Sequence, residues 1–189
     1  MTQSSSTSED AALAQAATAL RGGGVVAHAT EGVWGLAADA LSEAAAERIA
    51  TIKGRQLAQG FIVIGHTAEQ FQPELQTLER GMQNKVTATW PGHVTWVLPT
   101  TRFGDWITGG RPTAACRVPG HDQARALAEL FGGVLISTSA NRTGTDALTD
   151  YAQVQQQLGA EVDFVLPGAT LHPGKASTIR TLDDQVLRD

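Results

Sequence analysis

The sequence predicts a single α/β domain in which a mixed sheet is covered by helices. Two observations carry this. Helix-like and strand-like segments alternate along the whole chain, the pattern that folds into a sheet with helices packed on it. The 189 residues, 42% hydrophobic and 17% charged, fit one globular domain with a substantial core. No linker, internal repeat or low-complexity segment beyond a serine-rich tip divides the chain.

The elements follow in order. Residues 1–7 are expected to be a disordered tip, with the domain running over 8–189. Ser8 reads as an N-cap, with Glu9 and Asp10 at the positive end of a helix over Ala11–Leu20 that Gly22–Gly24 stop. "VVAHA" (25–29) is a strand. "ATEGVWGLAAD" (29–39) follows as a strand-end segment, the place where open α/β sheets hold ligands. Ser42 caps a helix from Glu43 to about Ile52, and "FIVIG" (61–65) is a short buried strand. A polar helical stretch covers roughly Glu74 to Thr87. "VTWVLP" (94–99) and "TAACRVP" (113–119) are strands, the second closed by proline. "HDQARALAELF" (121–131) is an amphipathic helix that Gly132 and Gly133 stop. "VLISTSAN" (134–141) is a strand running into a polar loop. Thr149 caps a helix to Leu158, and "DFVLPG", "STIRTL" and "QVLRD" supply the last short strands.

Composition excludes several classes. A net charge of −5 argues against a general nucleic-acid coat or a polybasic membrane binder, though not against a local basic patch. The single cysteine, Cys116, cannot form an internal disulfide or a cysteine-based zinc site. It is expected in the core, in a reducing, cytoplasmic setting. "MTQSSSTSED" lacks the apolar segment of a secretory signal, and no apolar run approaches the roughly 20 residues that cross a bilayer. His28, His66, His93, His121 and His172 show no metal-binding spacing. Neither standard phosphate cradle is present, and "RGGGVV" precedes a strand, so it reads as a helix stop.

Four segments carry candidate chemistry. In "IKGRQ", Lys53 and Arg55 are either cations at a helix C-terminus or a phosphate clamp, reaching the same way if the segment is extended. In "ISTSAN", Ser137 and Ser139 leave a strand on one face, with Asn141 in the following loop. They are either ordinary strand-end residues or donors to phosphate or carboxylate oxygens. Arg117 lies among apolar residues in "TAACRVP" and needs a partner, either a structural carboxylate or a substrate carboxylate. Thr30 and Glu31 fall at a strand end, beside Gly32 and Gly35, which allow close backbone approach.

Taken in order and spacing, "ATEGVWGLAADA", "IKGR" before "FIVI", "WPGHVTWVLP", "AACRVP", "STSAN" and "KASTIR…VLRD" resemble the TsaC/YrdC threonylcarbamoyl-AMP synthases in their short, single-domain form. The resemblance runs from about Ala11 to Arg188. It implies a twisted open mixed sheet flanked by helices, with a large concave electropositive cleft. It also implies a nucleotidyltransferase that condenses L-threonine, bicarbonate and ATP, with Mg²⁺ carried by ATP, into threonylcarbamoyl-adenylate and pyrophosphate. Partner proteins would then modify the adenosine next to the tRNA anticodon. By the same resemblance, Lys53, Arg55, Thr113, Ser139, Asn141 and Arg188 match ATP contacts, and Thr30, Arg117, Ser137 and Ser177 match threonine contacts. No side chain is assigned as a catalytic acid, base, nucleophile or metal ligand. The chain departs from the family pattern at Ala29, Gly32, Gln56, Gln59 and Ile64. Two alternatives stay open at this stage: a double-stranded-RNA-binding or ribosome-maturation module using the same cleft, and a sister enzyme that adenylates carbamoyl phosphate.

Overall fold

The computed structural model describes residues 3–188. The expected tip at 1–7 falls outside the described residues for Met1 and Thr2, and outside the described side chains for residues 3–7. Helix α1 spans Gln3–Arg21, so Ser8, expected as its cap, lies inside it. Strand β1 (Val26–Ala29) turns directly into β2 (Trp34–Asp39), and the two pair antiparallel. The second half of the expected strand-end segment is therefore itself a strand. Its Trp34, Leu36 and Ala38 all bury on one face.

Helix α2 (Glu43–Lys53) starts as expected, with the Ser42 hydroxyl accepting from the Ala45 amide. It ends at Gly54, whose left-handed φ of 61° lets the chain turn sharply. Lys53 is thus the last helical residue, and the pair Lys53–Arg55 is not extended. Lys53 reaches the Ser139 and Asn141 carbonyls, and Arg55 the Gly60 carbonyl and the Thr138 hydroxyl. Strand β3 (Ile62–Ile64) follows a 3-10 turn at Leu57–Gln59. The helical stretch expected over 74–87 is two helices, α3 (Gln72–Leu75) and α4 (Arg80–Thr87), separated at Glu79 by extended backbone. Glu74 is turned inward to Arg102 (3.2 Å) and the Thr100 hydroxyl (2.9 Å).

Beyond these lie β4 (Val94–Pro99), a short α5 (Asp105–Thr108) with no sequence signal, β5 (Thr113–Arg117) and α6 (Asp122–Phe131). Next come β6 (Leu135–Ser139), α7 (Tyr151–Leu158), β7 (Phe164–Val165), β8 (Thr178–Arg180) and β9 (Val186–Arg188). Helix α7 is capped by Asp150, not Thr149: its carboxylate accepts from the Ala152 and Gln153 amides at 2.9 and 3.2 Å.

The strands form one mixed sheet in the order β7-β1-β2-β6-β3-β5-β4-β8-β9. Three pairs are parallel (β1–β7, β3–β5, β4–β8) and the other five antiparallel, among the described residues. Side chains alternate across it, so the two faces part company. One face buries Trp34, Leu36, Val63, Trp96, Leu98, Cys116 and Ile136 together with side chains of α2, α4 and α7. On the other, Val26, Ala37, Ile64 and Leu135 pack against Leu13, Ala16, Ala17 and Leu20 of α1 and Leu127 and Ala128 of α6. Beyond the cover of α1 and α6, this second face continues as the wall of a cleft.

Candidate active site

The cleft has a volume of about 530 Å³. Strand alternation explains its lining. Thr113, Ala115 and Arg117 are successive same-side positions of β5. Val97 of β4 stands opposite Ala115, Ile62 of β3 opposite Ser137 of β6, and Arg188 of β9 opposite Ile179 of β8. Small side chains at Ala115, Ser137 and Ser139 keep the floor low. Gly35, opposite Ser139, does the same, since a Cβ there would sit 3.4 Å from the Ser137 hydroxyl. Of the ten residues the sequence singled out, eight line this one cleft: Thr30, Arg55, Thr113, Arg117, Ser137, Ser139, Ser177 and Arg188. Lys53 and Asn141 do not.

Among the described residues, the charged side chains in the lining are four arginines, Arg55, Arg111, Arg117 and Arg188. Arg55 donates to the Gly60 carbonyl at 2.6 Å and the Thr138 hydroxyl at 3.4 Å, and it lies over the Phe61 ring at 5.0 Å. Its buried Nε has no partner among the described residues. Burial, then the neighbouring Arg111 charge, lowers its pKa. Arg188 holds the Ser177 carbonyl with Nε and Nη2 (3.0 and 2.8 Å) and the Ser177 hydroxyl at 3.1 Å. That hydroxyl also pairs with Thr95 at 2.8 Å. Burial, Arg117 and Arg55, in that order, lower the Arg188 pKa.

Lys53 lies beneath the site. It is only 4% exposed, and its ammonium donates to the Ser139 carbonyl, the Asn141 carbonyl (2.9 Å) and Asn141 Oδ1 (3.3 Å). The Thr143 amide returns a bond to the Lys53 carbonyl at 2.8 Å. Asn141 in turn donates to the Arg142 and Thr145 carbonyls. Lys53 therefore pins the loop after β6 to the end of α2. Burial, then Arg55, lowers its pKa to about 8.

Arg117 has the partner its surroundings required. Its guanidinium forms an ion pair with Glu31, and its Nε donates to the Gly92 carbonyl at 3.0 Å. Glu31 also accepts from the Gly120 amide at 2.6 Å, while its second oxygen is buried without a partner among the described residues. Burial alone would raise the Glu31 pKa, but Arg117 and the amide bonds outweigh it and the net shift is downward. Thr30 uses its hydroxyl to close the turn onto the Val33 carbonyl at 2.7 Å. Gly32 is required by crowding: a Cβ there would lie 1.7 Å from the Lys175 carbonyl oxygen. Two backbone bonds, His172 to Glu31 and Gly174 to Gly32, fasten that crossing segment. Gln56 precedes the 3-10 turn and Gln59 ends it, both exposed, and Ile64 is buried under the second face.

Two features escaped the sequence reading. Glu31 was noted at the strand end but not as the partner of Arg117, because the pairing depends on how β1 and β5 are placed in the sheet. Arg111 sits in a turn, where a cation ordinarily reads as solvated, and only the fold brings it beside Arg55.

The family Sua5_yciO_yrdC, described as "Telomere recombination", matches residues 18–189. A threonylcarbamoyl-AMP synthase of Nitrosococcus oceani is 42% identical over 168 residues, covering 87% of this chain and 90% of the relative. One of Vibrio vulnificus is 41% identical over 180 residues, covering 93% and 97%. Among solved structures, P. abyssi Sua5 complexed with L-threonine is 32% identical with a TM-score of 0.86, over 93% of this chain and 53% of that one. The present chain thus spans about half the length of the P. abyssi protein. E. coli YciO is 25% identical with a TM-score of 0.78, over 94% and 88%.

Proposed function

The chain belongs to the Sua5/YciO/YrdC family, and on that basis we propose that it is a threonylcarbamoyl-AMP synthase. The observation that carries this reading is its near-full-length similarity to synthases of that name, on a chain whose candidate residues converge on one arginine-lined cleft. The relatives favour the synthase over the RNA-binding alternative. The substrates are ATP and L-threonine with bicarbonate, and the reaction class is nucleotidyl transfer.

The threonine amine takes up bicarbonate to give a carbamate and water. A carbamate oxygen then attacks the α-phosphorus of ATP, the bond to the β-phosphate oxygen breaks, and pyrophosphate leaves. The residues act by positioning and by neutralising charge. Arg117, oriented by Glu31 and the Gly92 carbonyl, receives the threonine carboxylate, with Ser137, Ser177 and Thr30 beside it. Arg55 and Arg188, both in the lining, face phosphate oxygens. Thr113 and Ser139 border the nucleotide, and Lys53 holds Ser139 in place together with Asn141 behind it. An arginine-lined cleft is electropositive and suits phosphate oxygens rather than a bare cation. We therefore assign Mg²⁺ to the triphosphate, as part of the nucleotide substrate. The product passes to proteins that transfer the threonylcarbamoyl group to tRNA. A free, buried cysteine fits a reducing compartment, and we assign the enzyme to the cytoplasm; separately, among the described residues no helix is long and apolar enough to cross a membrane.

The test is pyrophosphate release from ATP with threonine and bicarbonate omitted in turn. The proposal expects release only when both are present. Equal release without threonine, or with carbamoyl phosphate in place of threonine and bicarbonate, would overturn it.

A further inference from the structure

We infer that Arg111 is a binding residue for the terminal phosphates of the nucleotide and for the departing pyrophosphate, an inference that rests on the synthase reading above. Arg111 and Arg55 grip consecutive carbonyls of one turn. Arg111 Nη2 donates to Gln59 at 3.0 Å and Arg55 Nη2 to Gly60 at 2.6 Å. Two guanidiniums are thereby held side by side in the cleft, close enough that the Arg111 charge depresses Arg55. No carboxylate lies among the described residues that line the cleft. Like charges fixed together cost free energy unless an anion joins them.

The backbone keeps room for this arrangement. A Cβ on Gly60 would lie 2.6 Å from Arg111 Nη2, and one on Gly109 3.0 Å from the same atom; both glycines have left-handed φ, 71° and 63°. Arg111 spends one nitrogen on Gln59 and, among the described residues, has no further protein bond. It is exposed, so its remaining donors can meet a ligand.

The direction of the site follows from the two ends of β5. Arg117 is its last residue and Arg111 precedes its first, Thr113, so these two cations stand toward opposite ends of the strand along the cleft. Arg55 lies with Arg111, on the adjoining carbonyls of Gly60 and Gln59. With the amino acid at Arg117, the phosphate that reacts lies toward that end and the leaving pyrophosphate toward Arg111. A planar guanidinium fork can take two oxygens of one phosphate, which lysine, a point charge, cannot reproduce.

The experiment is calorimetric binding of inorganic pyrophosphate and of AMP to wild type, Arg111→Ala and Arg111→Lys, beside the wild-type turnover assay. Loss of one charge-assisted contact predicts pyrophosphate binding weaker by about tenfold in Arg111→Ala. AMP binding should be unchanged and Arg111→Lys intermediate. A merely structural role would weaken AMP and pyrophosphate alike, and that result overturns the inference. So does unchanged pyrophosphate binding in Arg111→Ala, or a wild type that binds no pyrophosphate. A wild type that binds pyrophosphate through Arg111 but shows no threonine-dependent turnover refutes the synthase reading and leaves this contact standing.

Discussion

Replacing Glu31 by glutamine should destabilise the protein far more than the loss of one charge at a surface would. The carboxylate and its partner Arg117 have side chains only 9% and 7% exposed. Removing one partner of a buried pair leaves the other charge uncompensated, at a cost of roughly 3–5 kcal/mol. Glutamine keeps an oxygen for the Gly120 amide but turns donors toward the guanidinium, so Glu31→Gln should fall near the lower end and Glu31→Ala near the upper. For a chain of this size that corresponds to a midpoint lowered by roughly 6–20 °C. The pH dependence follows from the depressed Glu31 pKa. Its stabilisation is fully present above the ordinary carboxylate value and is lost as pH falls through the lower folded value. The difference between wild type and Glu31→Gln should therefore shrink in acid, and, the pair being buried, should change little with salt. Urea unfolding of wild type, Glu31→Leu, Arg117→Met and the double variant measures the coupling; the double should lose less than the sum of the singles. Additive losses, or a Glu31→Gln protein within about 0.5 kcal/mol of wild type, would refute the reasoning.

Three further outcomes follow. Gly32→Ala would press its Cβ to 1.7 Å from the Lys175 carbonyl, a backbone atom. The segment around 172–175 should be displaced, and limited proteolysis should cut it much faster than in wild type; an unchanged rate would contradict the close packing. Lys53, with a pKa lowered to about 8, gives opposite pH trends. Between that value and the unfolded lysine value of about 10.4 the unfolded chain binds more protons, so the contribution of Lys53 to stability rises with pH. ATP affinity should fall over the same window as the ammonium that holds Ser139 and Asn141 is lost. A flat affinity profile in wild type, matching that of Lys53→Met, would exclude the pinning role. Cys116, fully buried with its thiol pKa raised chiefly by burial, should resist a thiol-specific alkylating reagent in the native state and react on unfolding; prompt native labelling would contradict its place in the core.

Much of this was readable because local rules sufficed. The alternation in "ISTSAN" does put Ser137 and Ser139 on one face, toward the cleft. The surroundings of Arg117 did demand a partner. What failed was what depends on the third dimension. The same alternation argument misplaced Lys53, because Gly54 ends a helix in a left-handed turn instead of continuing an extended segment. The antiparallel turn from β1 into β2 was missed because residues 34–38, buried on both faces, show no polar alternation. The departure at Gly32 acquires its reason only from a carbonyl contributed by Lys175.

The central claim is that the uncovered half of the sheet's second face binds a nucleotide through its arginines. The most direct measurement is the threonine- and bicarbonate-dependent pyrophosphate release of Arg55→Ala against wild type, with thermal melts on both. Arg55 can offer more than one charge-assisted bond, so kcat/KM should drop by about a hundredfold with the fold retained. A folded Arg55→Ala protein that turns over at the wild-type rate would contradict the account.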